Sequence, residues 1–174
     1  MKMMHAQVLR GLAFGVGLMT AVVTVAVADP LGAPTGAVVL TVAGQIKESN
    51  AAEGQAQFDL AMLEALPAQS FETTTPWTDG PQKFTGIALK DLLAALGASG
   101  ARAHAIATNQ YEVTFPLSDV IDNGGIVAYR QNDAALPADK GPLWIVFPYD
   151  NDPKLLEDRF QSASIWNLAS LTIN

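Results

Sequence analysis

The stretch DKGPLWIVFPYD, Asp139 to Asp150, joins a Gly-Pro turn to five consecutive apolar residues, Leu143 to Phe147, and stops at Pro148. A short apolar run between turn residues is typical of a strand that is buried on both faces. Because proline cannot donate to a sheet ladder, Pro142 is expected at the first residue of the strand or at a sheet edge. The run therefore predicts a buried strand whose first turn leaves backbone amides free to face a ligand.

Patterns on both sides of this run predict further strands and short helices. Apolar or alternating stretches indicate strands, and leucines at helical spacing indicate helices. Strands are expected at 37–42, 69–75, 103–108, 111–115, 126–131 and 165–173, and helices at 59–66, 87–97 and 154–160, with a helical turn capped by Ser118. No linker or repeat divides 37–174. We therefore expect one α+β domain with a mixed, largely antiparallel sheet.

The first 28 residues have the features of a secretory signal peptide. A positive start precedes an uncharged apolar run, 11–28, which ends in the small residues Ala26 and Ala28. This pattern predicts cleavage after Ala28, followed by a flexible leader, 29–36, rich in Pro and Gly. Without an Arg-Arg pair, the general secretory route and a periplasmic or secreted location are favoured. A retained membrane anchor is the alternative, since the run is near the lower length limit for a span.

Charge and composition exclude several kinds of partner. Removal of residues 1–28 leaves eight basic residues against 17 acids, a net charge of −9. Excess acid works against nucleic acid and anionic lipid, so we expect no nucleic-acid partner and no membrane partner after cleavage. The chain has no cysteine and therefore no disulfide. His104 would be the single imidazole of the mature protein, which predicts no transition-metal site.

Five segments in succession carry a resemblance to a known family. They are FETTTPWTDG (71–80), FTGIALKDLL (84–93), ATNQYEVTFPLSD (107–119), DKGPLWIVFPYD (139–150) and SIWNL (164–168). In order and spacing these segments are similar to a small exported branch of the molybdopterin-binding oxidoreductases, the sulfite oxidase family. The resemblance implies that family's fold over most of the mature chain, with a pterin cleft beside the strand at 143–147.

The positions that would hold the cofactor carry different chemistry. In the enzymes resembled here a cysteine binds molybdenum, and counting back from Trp77 the resemblance puts that position at or near Thr73. A threonine hydroxyl is a hard ligand that does not ionise near neutral pH, so it cannot replace a thiolate. Trp144 and Ile165 stand where the family has arginine and lysine. We therefore expect no cofactor, with molybdopterin as the alternative.

Eight residues are candidates for lining a ligand cleft, because they lie at strand ends or in loops, where sites are commonly built. They are Thr73, Thr75, Trp77, Asn109, Tyr111, Lys140, Gly141 and Tyr149. The threonines would be a hydroxyl-lined remnant of the metal pocket, or simply residues that favour strands. Trp144 and Trp166 are expected in the core. No residue is expected to be catalytic or to bind a metal.

Three functions follow from these observations. The favoured one is an exported binding or sensory module that uses the cleft for a small ligand or a periplasmic protein partner, without catalysis. The second is a molybdopterin-dependent oxidoreductase with an atypical, cysteine-less site. The third is an unrelated hydrolase that uses Ser118 or Ser164 with His104, although the chain has no G-x-S-x-G motif.

Overall fold

The computed structural model describes residues 31–174. The strands are β1 (Val38–Gly44), β2 (Ala56–Asp59), β3 (Ala68–Thr73), β4 (Gln82–Ala88), β5 (Arg102–Ala107), β6 (Glu112–Pro116), β7 (Ile126–Gln131), β8 (Ala134–Ala135), β9 (Trp144–Val146) and β10 (Leu168–Ile173). The α-helices are α1 (Leu60–Glu64), α2 (Leu89–Ala95), α3 (Leu117–Ile121) and α4 (Asp158–Ala163), with 3-10 turns at Ala52–Gly54, Tyr149–Asn151 and Pro153–Leu156. The predicted signal peptide lies outside the described residues. No helix within the described residues is long and apolar enough to cross a membrane.

The strands of the described residues form two sheets. The first has the order β2-β1-β10-β5-β6, with β1 and β10 parallel and its other pairs antiparallel. The second has the order β3-β4-β7-β8, with β9 also paired to β7, and it is antiparallel throughout. The α+β class and the mixed, largely antiparallel pairing are therefore confirmed, with the strands divided between two sheets.

Strand β9 is buried on both faces, as its unbroken apolar run predicts. Leu143, Ile145 and Phe147 belong to the main hydrophobic core, which both sheets share. Trp144 and Val146 point into a second, smaller cluster. All five side chains are 0% exposed. Because neither face meets water, no polar residue interrupts the run.

The leucine stripe of α2 faces the core, as predicted, but the helix begins later than expected. The buried leucines are Leu89, Leu92, Leu93 and Leu96. Ile87 and Ala88, predicted to be helical, instead extend β4, where they pair with β7. The ladder satisfies their backbone groups, so sheet pairing outweighs the helical spacing there. Gly97 ends the helix with φ 58, a left-handed value that glycine adopts without a steric penalty.

Two other helix predictions are wrong in detail. Ser118 does not cap α3, because Pro116 is the N-cap residue and no side chain caps this helix. The helix predicted at 154–160 is two elements, a 3-10 turn at Pro153–Leu156 and α4. Glu157 separates them with an extended backbone (φ −67, ψ 149). The break places α4 at Asp158–Ala163, later in the chain than the predicted helix.

Asp59 ties the segment before β1 to the start of α1. Its Oδ1 accepts the N–H of Met62 at 2.8 Å, so Asp59 is the N-cap residue of α1. Its Oδ2 accepts the N–H groups of Thr35 and Gly36 at 2.8 and 2.7 Å. These bonds, that of Met62 first, hold the pKa of Asp59 below its ordinary value. The flexibility of the leader stays a prediction, but its last two residues are anchored.

Candidate functional site

Two concave regions share the side chain of Trp77. The first, the aromatic cavity, has a volume of about 480 Å³ and is lined by Trp77, Asn109, Tyr111, Asp158, Gln161, Ser162, Ser164, Ile165 and Trp166. The second, the polar hollow, has a volume of about 300 Å³ and is lined by Trp77, Thr78, Asp79, Gln82, Gln131, Pro137, Asp139 and Lys140. Trp77 is therefore the one candidate residue common to both.

Thr75 forms the turn that holds Trp77. Its Oγ1 accepts the N–H of Trp77 at 3.2 Å and lies 2.9 Å from the hydroxyl of Thr78. The half-buried Trp77 ring packs edge-on against Trp144 and Trp166, with centroids 6.0 and 5.5 Å apart. Thr75 is itself buried and lines neither concave region. The Thr75 hydroxyl therefore contributes to the two concave regions by positioning Trp77.

Thr73 is fully buried at the end of β3, and both hydrogen-bonding functions of its hydroxyl are used. Its Oγ1 accepts the N–H of Asp150 at 3.1 Å and donates to the carbonyl of Thr74 at 3.0 Å. The Asp150 carboxylate in turn accepts the hydroxyl and, at 2.8 Å, the N–H of Thr74. These bonds lower the pKa of Asp150. Thr73 thus joins β3 to the turn after β9, and the strand predicted to reach Thr75 stops at this junction.

Tyr149 supports the aromatic cavity from the interior. Its hydroxyl lies 2.5 Å from the hydroxyl of Ser164, a cavity-lining residue. Burial raises the pKa of Tyr149 to about 12, so its phenol is neutral at physiological pH. The carbonyl of Ser164 accepts the indole N–H of Trp144 at 3.3 Å. Tyr149 therefore fixes one wall of the cavity, while its own side chain is buried behind that wall.

Asn109 and Tyr111 form another wall, at the turn between β5 and β6. The side-chain oxygen of Asn109 accepts the N–H of Tyr111 at 3.1 Å, and Gln110 between them has φ 68. This geometry confirms the predicted pair of strands around residues 109 and 110. The Tyr111 hydroxyl donates to the carbonyl of Ser162 at 3.3 Å, so the ring spans from the turn to α4. The Tyr111 side chain remains 47% exposed.

Helix α4 contributes a wall that the sequence analysis missed. Asp158, Gln161 and Ser162 are spaced i, i+3 and i+4, so they share one face of the helix, and all three line the cavity. Asp158 belongs to an acidic stretch, 150–158, that is typical of a solvated helix start. The spacing would have identified this face if the helix had been placed at Asp158–Ala163, but the expected helix ended at 160.

Trp166 was expected in the core, but it lies half-buried and lines the cavity. The strand predicted from Ile165 begins only at Leu168, because Asn167 has φ 52 and interrupts the extended backbone. Trp166 is left outside β10 and forms an isolated bridge with Trp144. Trp144 itself is fully buried, as predicted.

Lys140 and Gly141 do not reach the aromatic cavity. Lys140 lines the polar hollow, and its Nζ donates to Asp139 at 2.7 Å, which lowers the pKa of Asp139. Gly141 lines neither region. The N–H groups of both residues donate to the carbonyl of Pro137, at 2.8 and 2.7 Å. The prediction that this turn offers free amides to a ligand is therefore wrong, because the turn satisfies them itself. The exposed Pro142 stands immediately before Leu143 and β9.

Comparison with known proteins identifies the family of this chain. The family model for the oxidoreductase molybdopterin binding domain matches residues 45–149, more than half of the chain. The chain belongs to the molybdopterin-binding oxidoreductase domain family. The matched range includes all eight candidate residues but ends before α4, so the cavity wall made by Asp158 and Trp166 lies beyond it. No curated protein matches the chain.

The residues of this chain do not fit a molybdopterin cofactor whose molybdenum is also bound by a cysteine thiolate of the protein. The chain has no cysteine, and the hydroxyl of Thr73 is fully used within the protein. Trp144 and Ile165 are 0% and 2% exposed, inside the fold. Lys140 is the only cation among the residues that line either concave region, and it is paired with Asp139. An anionic phosphate would find little of the charge-assisted hydrogen bonding that it needs.

Other side chains within residues 31–174 do not assemble a metal or hydrolase site. No group of three or more His, Asp or Glu residues there is close enough to hold a metal ion. The His104 ring pairs with the hydroxyl of Thr114 at 2.9 Å and with the carboxylate of Glu112 at 3.4 Å. Neither Ser118 nor Ser164 is hydrogen-bonded to it, so the described residues contain no serine–histidine pair.

Proposed function

We propose that the protein is an exported, metal-free member of the molybdopterin-binding oxidoreductase domain family that binds a small ligand in the aromatic cavity. One observation carries the proposal. At the position where the family resemblance expects the metal ligand, the Thr73 hydroxyl is used for structure, whereas Trp77, Asn109 and Tyr111 converge on one cavity.

The composition of the aromatic cavity supports ligand binding. Small-molecule sites are concave, occupy roughly 300 to 1,000 Å³, and combine aromatic surface with a few placed polar groups. The cavity has about 480 Å³, with aromatic surface from Trp77, Tyr111 and Trp166. Asn109 and Gln161 add amide groups that can orient a polar ligand. The wall is held by hydrogen bonds of Tyr111 and Tyr149, so the site is largely formed before a ligand arrives.

The groups with shifted pKa values lie outside the lining of the aromatic cavity. Strongly perturbed titratable groups in a cleft are candidates for acid–base chemistry. The largest shift belongs to Tyr149, whose phenol is buried against Ser164 and does not line the cavity. The lowered pKa values of Asp59 and Asp150 come from hydrogen bonds that join elements of the fold. These groups serve structure, so a binding role is favoured over an enzymatic one.

Export is part of the proposal, and it rests on the sequence. A chain that crosses the membrane unfolded cannot carry a cofactor that was loaded in the cytoplasm, which agrees with a metal-free domain. We expect the protein in the osmotic-shock fraction of its own host, with Asp29 as the first residue found by N-terminal sequencing. Recovery of the full-length chain in the membrane pellet would contradict export.

The deciding experiment uses protein purified from the periplasm of its own host. Elemental analysis is expected to find far less than one molybdenum per chain, and native mass spectrometry to find a small organic adduct that denaturation removes. About one molybdenum per chain would instead support the cysteine-less oxidoreductase. The matched variant Thr73→Cys is expected to gain no molybdenum, because the residues around the two concave regions still offer only the paired Lys140 to the cofactor's phosphate.

A further inference from the structure

We infer that the aromatic cavity selects an organic cation, such as a quaternary ammonium or alkylamine group, by placing aromatic rings beside one uncompensated carboxylate. The inference rests on the proposed ligand-binding function and names its ligand class. Its parts are Trp77, Trp166, Tyr111 and Asp158, which come from three separate segments of the chain and meet only in the folded protein.

The aromatic walls meet at steep angles. The rings of Trp77 and Trp166 have centroids 5.5 Å apart and planes inclined by 66°, so they form a corner. Tyr111, which is 47% exposed, contributes a third ring from the turn between β5 and β6. The faces of such rings carry partial negative charge and attract a cation within about 6 Å, with Trp the strongest partner. A corner of rings can contact a compact alkylammonium group on more than one side, whereas a single flat ring cannot.

Asp158 is the only formally charged residue that lines the cavity. Within the described residues its carboxylate has no ion pair. The neighbouring Arg159 does not neutralise it, because the Arg159 guanidinium bonds Glu157 at 3.0 Å and Asp119 at 3.3 Å and covers the ring of Phe160. The cavity therefore presents one negative charge with no positive group on its lining.

The net charge of the whole domain also favours a cationic ligand. Residues 31–174 contain eight basic and 16 acidic residues, a net charge of −8. A field of this sign attracts cations toward the surface and slows the approach of anions. The local carboxylate and the overall charge therefore both favour a cationic ligand.

The cavity also argues against the other ligand classes. An anion would meet Asp158 with no lysine or arginine on the lining. A neutral sugar could stack on Trp77 and bond Asn109 or Gln161, but it would gain no charge attraction from the exposed Asp158 carboxylate. A cation uses the rings and the carboxylate together. The cavity volume of about 480 Å³ exceeds that of an alkylammonium head, and the amides of Asn109 and Gln161 on the lining can bond a polar substituent of the ligand.

The test compares choline with its uncharged carbon isostere, 3,3-dimethylbutan-1-ol, on protein purified from the periplasm. Binding is followed by tryptophan fluorescence, which reports on Trp77 and Trp166, and by calorimetry at low ionic strength. Choline is expected to bind at least about tenfold more tightly than the isostere, the ratio that cation–aromatic and charge attraction together supply. Tetramethylammonium and n-butylamine serve as further cationic probes.

Two variants that each remove one negative charge are compared, one on the cavity lining and one, the control, outside it. Asp158→Asn is expected to weaken choline binding several-fold and to reduce its salt dependence. Glu157→Gln, at the adjacent residue outside the cavity lining, is expected to stay within about twofold of wild type, because its carboxylate is already paired with Arg159. Tyr111→Leu, at an exposed ring, is expected to weaken choline more than the isostere.

The outcomes separate this inference from the proposed function. Equal affinity for choline and the isostere, or an Asp158→Asn variant that binds choline like wild type, would overturn the cation inference. A neutral sugar that binds while all three cationic probes fail would also overturn it, with ligand binding itself intact. Failure of the cationic probes, together with no small-molecule adduct in native mass spectrometry and no response to a panel of neutral and anionic compounds, would overturn both.

Discussion

The leucine face of α2 and the aromatic cavity beside α4 are built in different ways. The leucines of α2 are contiguous along one helix, fully or nearly fully buried, and purely apolar. The cavity takes side chains that range from buried to exposed from three segments, and it positions them through hydrogen bonds of Thr75, Tyr149 and Asn109. The core therefore depends on apolar volume, and the site depends on a few polar contacts behind and between its walls.

The largest effect is expected from Leu92→Ala. Leu92 is 0% exposed in the main core, so truncation should lower the free energy of unfolding by about 2 to 5 kcal/mol through lost burial and the cavity left behind. Urea melts measure this. Lys90→Ala, at an exposed position of the same helix, is the control and should change it by no more than about 0.5 kcal/mol. Equal losses for both variants would contradict the packing of α2.

The contrast also explains which parts of the fold the sequence could predict. Residues 143–147 and the α2 leucines were placed correctly because burial alone dictates their pattern. Ile87 and Ala88 were misassigned because apolar spacing cannot show that a neighbouring strand, β7, is available to pair with them. The division into two sheets was likewise unseen, since it depends on long-range pairing such as that of β1 with β10.

The candidate site was predictable only where a turn signal was local. Asn109 and Tyr111 flank a turn that their own sequence encodes, and both line the cavity. Asp158 and Trp166 were missed because the backbone changes direction at the residues next to them, the extended Glu157 and the left-handed Asn167, and apolar spacing does not reveal such breaks. Thr73 was predicted to line the cleft, but it lines neither concave region, because its side chain bonds Asp150, 77 residues away, and no local pattern encodes that contact.

Thr73→Val tests the polar junction behind the cavity. Valine keeps the shape but removes the acceptor for the Asp150 N–H, so we expect a loss of about 1 to 3 kcal/mol in unfolding free energy. Thr172→Val is the control, because the Thr172 hydroxyl makes no hydrogen bond within the described residues, and it should be nearly neutral. Denaturant melts compare the two. If both variants are equally stable, the Thr73 hydroxyl does not hold β3 to the turn after β9.

Tyr149→Phe should cost less, about 1 kcal/mol, because it removes one hydrogen bond and leaves the Ser164 hydroxyl unpaired. Tyr111→Phe, with an exposed ring and a longer bond of 3.3 Å, is the control and should be near zero. The pH dependence is specific to Tyr149. Burial raises its pKa from 10.0 to about 12, so its contribution is complete below pH 10 and is lost as pH rises toward 12.

Absorbance titration of the phenolate follows this change directly. Wild type should contain a tyrosine that ionises only near pH 12, and Tyr149→Phe should lack that late step. If the late step persists in Tyr149→Phe, it belongs to Tyr129, whose pKa burial also raises.

The smallest effect is expected at Asp150, and it is a dependence on acid pH. Hydrogen bonds from Thr74, its hydroxyl first, lower the pKa of Asp150 below the ordinary 3.8. Because the folded-state pKa is depressed, the stabilisation is present above about pH 3.8 and is lost as pH falls through the lower folded value. The stability difference between wild type and Asp150→Asn should therefore shrink as pH falls below 3.8.

Asp79→Asn supplies the comparison for this acid dependence. The Asp79 side chain, in the polar hollow, makes no hydrogen bond within the described residues, so its variant should differ only slightly in stability from wild type. Thermal melts at closely spaced pH values measure both differences. A difference for Asp150→Asn that stays constant as pH falls would mean that the Thr74 bonds do not favour the ionised carboxylate. The junction between β3 and the turn after β9 would then rest on the Thr73 hydroxyl.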